Sequence, residues 1–499
     1  MRRSCGILLH ITSLPSPHGV GTLGQAAFDF IDFLAQAGQS CWQLLPTGPT
    51  GYGNSPYQVF STFAGNPYLI DLDILISQGL LTSAEVDAAH FGERPDQVDY
   101  AALARERLPL LRLAYERFKD APTEDYAAFC EKEADWLEDY ALFMALKGRF
   151  KGKQWTQWPD PIRQRRPRSV TRYRQTQSDE LGFHRFLQYT FFTQWQAVQN
   201  YAHERGIQLI GDLPIYVPLD SADVWCNPEL FQLDDTLQPT CVAGCPPDQF
   251  SEDGQYWGNP IYDWERMEED GFLWWMGRLE AAGRLFDLIR IDHFRGLESY
   301  WSIPAGAETA REGAWVKGPG QALINSIRER FPHLRFIAED LGFLTEDVCA
   351  LLETSGFPGM KVLEFAFDSG SDNDYLPHNY ASDNYVCYTG THDNVTLAQW
   401  CEESPEEVLT FARDYLELSH DEDLAAAIVR CGLTSRAGLF IVPLQDYLGL
   451  GAEARMNEPG TVKEENWRWR CEASDLSSEL VRKLREAAAE GNRLPSIDQ

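Results

Sequence analysis

Eight short apolar runs recur along the chain, and they constrain its possible folds more strongly than any other feature. They lie at residues 6–10, 41–45, 208–212, 288–292, 336–339, 361–365, 385–388 and 439–443. None alternates cleanly between polar and apolar residues, which is typical of strands buried on both faces. Helical patterns separate them, so the chain is predicted to be an α/β protein, a (β/α)8 TIM barrel with eight parallel strands.

A doubly wound open sheet is the competing architecture for such an alternation. Its signature would be a G-x-G-x-x-G turn directly after the first strand. Residues 19–24 have these letters but follow the first apolar run at a distance, so a plain glycine-rich turn is the preferred interpretation. The predicted helices include residues 24–37, 102–118, 129–147, 312–331 and 345–354.

Two connections are far too long for a minimal barrel, and they define the predicted domains. Residues 1–66 and 201–499 are assigned to the barrel, and residues 67–200 to a mostly helical inserted subdomain with a capping box at Thr82–Glu85. Residues 213–286 are rich in Pro, Gly, Asp and Trp. They are assigned to a long insertion that covers the site, because loops at the carboxyl ends of barrel strands build such sites.

The charge of the chain argues against polyanionic partners. It has 43 Lys and Arg against 75 Asp and Glu, a formal net charge of −32. Such a chain is repelled by phosphate backbones and anionic lipids, so neither nucleic acid nor a membrane is expected as a main partner. Residues 147–174 are locally basic and include Trp155 and Trp158, a composition that also occurs in single-strand binding surfaces. A solvated region that pairs with the acidic body is the preferred interpretation.

Cysteine usage and apolar run lengths predict a protein of a reducing compartment. The eleven cysteines include no C-x-x-C pair and show no zinc-ligand or disulfide spacing, so no metal or other cofactor is expected. No run of about 18 apolar residues occurs, so no membrane span is predicted. Cytoplasmic localisation is the resulting expectation, and the oligomeric state is left open.

Acidic residues stand where four of the apolar runs stop. They are Asp212, Asp292, Glu339 and Asp393. A lone acid at a strand end is usually a helix cap or a solvated turn. Four of them at the same end of successive barrel strands predict an active site, because barrel enzymes collect their functional residues there.

Strand geometry indicates what these acids could do. Arg290 and Asp292 are two residues apart, so both side chains face the barrel axis, and the arginine keeps the carboxylate ionised and oriented. If Glu339 ends the neighbouring strand, the two backbones lie ~4.8 Å apart, and their carboxyl groups can approach to ~5–5.5 Å. That separation is typical of retaining glycoside chemistry. Asp393 would then bind sugar hydroxyls and stabilise the transition state.

Aromatic residues in the long loops fit the same hypothesis. Trp257, Tyr57 and Trp467 lie in loop segments that also contain amides. Trp and Tyr rings can stack on the apolar faces of sugars while amides bind the hydroxyl groups. For any single ring, a plain packing role is the alternative.

The chain resembles the amylomaltases, the 4-α-glucanotransferases of glycoside hydrolase family 77 in the α-amylase clan. The resemblance runs nearly from end to end, and its motifs follow in the family's order. They lie at residues 9–15, 55–57, 211–217, 257–260, 290–296, 338–342, 391–394 and 455–457.

The resemblance implies a barrel with helical insertions and without a C-terminal β-sandwich. It also implies a catalytic set of Asp292 as nucleophile, Glu339 as general acid/base and Asp393 as transition-state stabiliser. The implied substrate-binding residues are Tyr57, Asp212, Arg290 and His392 at the cleavage subsite, with Trp257, His293 and Asp340 towards the acceptor.

The implied activity is transfer of α-1,4-glucan segments to a glucose or maltodextrin acceptor by a retaining double displacement, without a cofactor. Two alternatives remain open: an α-1,4-glucan hydrolase using the same residues, and a non-catalytic glucan-binding protein. The sequence also leaves open whether the donor is maltodextrin, glycogen or starch, and how large the products are.

Overall fold

The structure, a computed structural model, describes residues 3–247, 252–342 and 344–495. Its strands are β1 (Ser4–Leu8), β2 (Cys41–Gln43), β3 (Gln208–Pro214), β4 (Cys241–Cys245), β5 (Gln255–Pro260), β6 (Leu288–Asp292), β7 (Ser299–Pro304), β8 (Ala314–Lys317), β9 (Arg335–Ala338), β10 (Gly359–Val362), β11 (Tyr385–Tyr388) and β12 (Leu439–Pro443).

The described residues also form α-helices between and after these strands. They are α1 (Gln25–Gln36), α2 (Leu72–Ser77), α3 (Ser83–Asp87), α4 (Tyr100–Phe118), α5 (Glu124–Lys132), α6 (Ala134–Arg149), α7 (Asp160–Arg163), α8 (Pro167–Thr176), α9 (Ser178–Glu204), α10 (Ala222–Cys226), α11 (Trp264–Glu269), α12 (Leu273–Leu285), α13 (Gly320–Arg330), α14 (Glu346–Ser355), α15 (Leu397–Glu403), α16 (Glu406–Tyr415), α17 (Leu424–Thr434), α18 (Leu444–Leu448) and α19 (Ser478–Glu490). None of these described helices has the length and apolar character needed to cross a membrane.

Eight parallel strands form the barrel that the apolar runs predict. They are hydrogen-bonded in the order β10-β11-β12-β1-β2-β3-β6-β9. The two ends of this sheet meet where the Ala338 N–H of β9 donates to the Pro358 carbonyl just before β10, at 2.9 Å. The prediction of a TIM barrel with helical insertions is confirmed, and the doubly wound alternative was wrong.

Each of the eight predicted runs overlaps a barrel strand, although some strand ends differ from the prediction. The largest shift is at β10, which ends at Val362 because Leu363–Phe365 turn into a 3-10 helix. β2 is also shorter than its run and ends at Gln43, whereas β3 extends beyond its run to Pro214.

The inserted segment between β2 and β3 is mostly helical, as expected. The predicted capping box is present: the Glu85 N–H donates to the Thr82 hydroxyl, and the Thr82 N–H donates to the Glu85 carboxylate. The predicted helix at 129–147 was wrong in its extent, because the chain breaks at Glu133 into α5 and α6. The domain division itself stays a prediction.

A second sheet lies beside the barrel, and no apolar run in the sequence predicts it. Its four antiparallel strands have the order β5-β4-β7-β8. The expected helix at 312–331 was therefore wrong in its first part: Ala314–Lys317 form β8, and α13 begins only at Gly320. Residues 248–251 of the long insertion lie outside the described residues.

On β6, apolar side chains point away from the barrel axis and polar side chains point towards it. Ile289 and Ile291 of β6 are buried in the main hydrophobic core. Arg290 between them contacts the Met360 sulfur on β10, with 3.4 Å from its Nε to Sδ. Because β6 and β10 are not neighbours in the sheet, this contact crosses the barrel interior, and Arg290 and Asp292 face the axis.

Arg493 ties the C-terminal part of the chain to the barrel. Its side chain is fully buried, and its guanidinium donates to backbone carbonyls that include Ser4, Leu433 and Ala437, at 2.6–2.9 Å. Arg493→Met would remove all of these donated hydrogen bonds at once, although the Leu433 carbonyl would keep its bond from Arg3. We expect the free energy of unfolding to fall by roughly 3 kcal/mol or more in urea titrations.

Arg482→Met is the matched control, because Arg482 is exposed and pairs with the exposed Glu486 one turn along the same helix. It should change stability by less than about 0.5 kcal/mol. Equal effects of the two substitutions would contradict the role given to Arg493.

Candidate active site

Arg290 links two carboxylates inside the barrel. β3 and β6 are paired so that Asp212 lies opposite Arg290. The Arg290 Nη1 lies 2.8 Å from both Asp212 oxygens and 3.0 Å from the Asp292 Oδ1. The Arg290 side chain is 4% exposed and that of Asp212 is 0% exposed, whereas that of Asp292 remains 27% exposed. Asp292 is thus the carboxylate of this group that a ligand can reach.

Burial and charge act in opposite directions on these two acids. Burial raises the pKa of Asp212 and of Asp292, while the Arg290 charge lowers both. The Tyr57 hydroxyl donates to the Asp212 Oδ2 at 2.7 Å and further favours its ionised form. Arg290 itself stays protonated, because the two carboxylates raise its pKa well above the ordinary value.

Glu339 follows β9 directly beside the end of β6. Ile291 is paired with Ala338, and the Glu339 N–H donates to the Ile291 carbonyl at 3.0 Å. The carboxylate accepts the N–H groups of His293 at 2.7 Å and Leu341 at 2.9 Å. These bonds fix Glu339 beside Asp292, as the adjacency of the two strands predicted.

The surroundings of Glu339 shift its pKa towards neutrality. Burial is the largest cause, the Arg290 charge opposes it, and the Asp292 charge adds to it; together they raise the pKa to about 7. A carboxyl group with this pKa can both give and take a proton near neutral pH.

Asp393 is held by a separate loop. The Asn457 amide donates to its Oδ1 at 2.6 Å, and Arg455 donates to its main-chain carbonyl at 3.0 Å. The His392 Nε2 lies 3.3 Å from the same Oδ1. The Asp393 side chain remains 43% exposed, so it can still meet a ligand.

Three aromatic rings form a wall beside these acids. The Tyr57 ring stacks on the His392 ring at 5.1 Å between centroids and an angle of 13°. Trp467 contacts both rings at 5.9 Å. Burial is the main cause that lowers the pKa of His392, so its imidazole is neutral and can donate or accept a hydrogen bond.

Trp257 and His293 lie together on the side of the small antiparallel sheet. Their rings meet edge to face at 4.8 Å, and the Trp257 indole N–H donates to the Gln255 side chain at 3.1 Å. Burial lowers the pKa of His293 to about 3, so this ring is also neutral.

Asp340 has a different environment from the other predicted residues. Its carboxylate accepts the Met360 N–H at 2.6 Å and is buried against β10, and burial raises its pKa. This geometry favours a structural role in the barrel wall. Contact between Asp340 and an acceptor sugar stays a prediction, and no step below depends on it.

Asn457 and Arg455 were recognised as a motif but not as contacts of Asp393. Asn394 was missed in the same way: its Oδ1 accepts the Thr391 N–H at 2.9 Å, and its amide donates to the buried Glu364 at 3.1 Å. The only sequence signal was that polar residues crowd around an acidic strand end. Among the described residues, no group of three or more His, Cys, Asp or Glu side chains could hold a metal ion.

Arg290→Met would leave Asp212 and Asp292 buried without a counter-charge. We expect a stability loss of about 3–5 kcal/mol at neutral pH. Because the folded-state pKa values of both acids would then lie further above their unfolded values, the loss should disappear below about pH 4 and grow as the pH rises. Urea unfolding at several pH values measures this.

The control for this pH dependence is Arg335→Met, since Arg335 lies on an exposed part of the adjacent strand β9. It should cost little stability and show no comparable pH trend. A penalty for Arg290→Met that is equally large at pH 4 and pH 7 would contradict the charge argument.

The chain is similar to known proteins in both sequence and structure. Residues 9–476 match the model of glycoside hydrolase family 77, described as 4-alpha-glucanotransferase. A 4-alpha-glucanotransferase of Thermus thermophilus is 49% identical over 502 residues, covering 99% of both chains, and one of Clostridium butyricum is 46% identical, covering 95% of this chain and 98% of the relative.

An amylomaltase from Streptococcus agalactiae, solved in complex with acarbose, superimposes with a TM-score of 0.96. It is 40% identical, and the match covers 99% of this chain and 100% of the other. The resemblance seen in the motifs is confirmed: the chain belongs to the 4-α-glucanotransferases of glycoside hydrolase family 77.

Proposed function

We propose that this protein is a 4-α-glucanotransferase that moves α-1,4-glucan segments to a glucose or maltodextrin acceptor by a retaining double displacement. Membership of the family supports the activity. The observation that carries the mechanism is the placement of Glu339 beside Asp292, with Arg290 bound to Asp292 at 3.0 Å. Adjacent strands lie ~4.8 Å apart, which suits the ~5–5.5 Å carboxyl separation of retaining enzymes.

In the first displacement, an Asp292 oxygen attacks the anomeric carbon of the donor. Glu339 gives its proton to the glycosidic oxygen, so the bond breaks and the reducing-end fragment leaves as an alcohol. The product is a β-linked glycosyl ester of Asp292. Glu339 is suited to this step because its pKa is raised to about 7.

In the second displacement, Glu339 acts as a base. It removes the proton from the 4-hydroxyl of an acceptor glucan, whose oxygen attacks the anomeric carbon and releases Asp292. The new bond has the α configuration, and Glu339 is protonated again for the next cycle.

The remaining site residues are proposed to hold the sugar and the developing positive charge. Asp393 is exposed enough to bind sugar hydroxyls, and its charge stabilises an oxocarbenium-like transition state. The neutral His392 is suited to donate a hydrogen bond, and the Tyr57 ring stacked on it offers an apolar face.

Trp257 and His293 are proposed to bind the acceptor. They lie beside the small antiparallel sheet, where Trp257 is only half-buried and can stack on a sugar ring. A bound acceptor in this position would exclude water, which favours transfer over hydrolysis. Eleven free cysteines fit a reducing compartment, so we propose that the enzyme acts in the cytoplasm.

Maltotriose as the sole substrate distinguishes transfer from hydrolysis. We expect maltooligosaccharides longer than three units together with glucose, analysed by chromatography of the reaction mixture. Glu339→Gln should lower this rate by roughly 10³-fold or more, because the leaving oxygen loses its acid. Glu353→Gln, on an exposed position of α14, is the control and should not change the rate. Formation of glucose and maltose alone would show a hydrolase.

The pH dependence of kcat/KM should be bell-shaped. The falling limb on the alkaline side should lie near pH 7, because loss of the Glu339 proton stops the first displacement. The acidic limb should reflect protonation of Asp292. Because Asp292 and Glu339 are coupled, the two apparent pKa values of the profile belong to the pair. Initial rates with maltotriose measure the profile, and full activity above pH 9 would contradict the role of Glu339.

A further inference from the structure

A large cleft lies outside the barrel wall, between the barrel and the helical insertion. Its volume is about 530 Å³, within the range of small-molecule sites. Helix α9 lines one side with Gln196 and Asn200, and α12 lines the other with Ala281 and Arg284. Its floor includes Ile289, an outward-facing residue of β6. Most of the cleft therefore lies outside the barrel interior, and neither Arg290 nor Asp292 lines it.

Half-buried aromatic rings line this cleft, one from the loop after β2 and three from helices α5, α6 and α9 of the insertion. Phe63 and Trp136 are nearly parallel, at 6.4 Å and 17°, and Phe192 contacts Trp136 at 5.9 Å. Phe129 extends the row at 5.7 Å from Phe192. Aromatic side chains usually bury most of their surface, so a row that stays partly exposed inside a cleft marks a binding surface.

The position of Trp136 is fixed before any ligand arrives. Its indole N–H donates to the Glu133 carboxylate at 2.7 Å. The same carboxylate binds the Arg284 guanidinium across the cleft at 3.0 and 3.2 Å. A ring held in this way loses little freedom on binding, which favours affinity.

Polar side chains line the cleft beside the aromatic row. The Gln196 amide donates to the Asn200 side chain at 3.0 Å, and Lys132 adds a cationic donor. A sugar has apolar C–H faces and hydroxyl edges, so this combination of rings and amides suits a carbohydrate better than a wholly apolar ligand.

The inner end of the cleft is closed by residues of the candidate active site. Tyr57 and Asp212 line this end, and the Tyr57 hydroxyl donates to the Asp212 carboxylate at 2.7 Å. A glucan held in the cleft would thus lie next to the site that processes glucans.

We propose that this cleft is an additional binding site for α-1,4-glucan chains, with Trp136, Phe63 and Phe192 as its stacking surface. The choice of ligand rests on the proposed function, because the cleft adjoins a glucan-processing site. Its expected effect is to retain long glucans near the catalytic centre, which raises their effective concentration. Short substrates gain nothing from it.

The test combines binding and kinetics. In the Asp292→Asn protein, which cannot turn over its ligand, maltoheptaose binding is measured by titration calorimetry. We expect this protein to bind a second equivalent of maltoheptaose. The double variant Ala197→Trp/Asp292→Asn should lose it, because Ala197 is exposed on α9 at the cleft and a tryptophan there fills the space. Trp136→Ala should weaken that equivalent by about fivefold to tenfold. If Trp136→Ala fails to fold, the Ala197→Trp variant still tests the site, because it blocks the cleft from an exposed position.

Kinetics of proteins with Asp292 intact provide the second readout. Ala197→Trp should raise KM for soluble amylose by about fivefold to tenfold and leave KM for maltotriose unchanged. Phe411→Ala is the matched control, a half-buried phenylalanine on α16 that does not line the cleft. It should affect neither substrate.

Three results would overturn the proposal. One is a single binding equivalent in the parent Asp292→Asn protein, and another is a second equivalent that Ala197→Trp leaves intact. The third is binding of the apolar dye 1-anilinonaphthalene-8-sulfonate in the cleft without competition from maltoheptaose. Failure of the proposed function would look different, because maltotriose would then give no longer products in any variant.

Discussion

The contacts of Arg290 with Asp212 and Asp292 are the interaction on which the site depends. A buried guanidinium costs several kcal/mol unless it is paired, and here it is shared by two carboxylates at 2.8–3.0 Å. Burial in the same pocket raises the pKa of Glu339 to about 7, with the Arg290 charge opposing this rise and the Asp292 charge adding to it. One arrangement thus orients the proposed nucleophile and prepares the proposed proton donor.

The barrel strands hold Arg290, Asp212 and Asp292 in fixed positions, and loops from distant parts of the chain add the remaining residues of the site. Tyr57 comes from the loop after β2, His392 from the loop after β11, and Trp467 from the segment before α19, yet their rings contact one another. Asn457 holds Asp393 from the same late segment. The Tyr57 and His392 loops start from fixed strand ends, and the late segment packs against both, so the closed barrel sets the mutual positions of these side chains.

The sequence predicts best the features that depend on burial and on the alternation of side chains between the two faces of a strand. The eight strands, the inward direction of Arg290 and Asp292 and the neighbouring position of Glu339 all follow from apolar runs and strand alternation. The strand β8 could not be predicted in this way, because Ala314–Lys317 are exposed and carry no buried pattern. The break at Glu133 and the turn of Asp340 towards Met360 depend on contacts with distant residues, Arg284 and β10, which local patterns do not encode.

The most direct test of the account is to trap the covalent intermediate. A maltosyl fluoride donor needs no acid for its leaving group, so Glu339→Gln protein should still form the ester but lack the base that helps an acceptor release it. Mass spectrometry of the intact protein and of its peptides should then show one added glycosyl group on Asp292. An adduct on another residue, or no adduct while the donor is consumed, would contradict the double displacement proposed for this site.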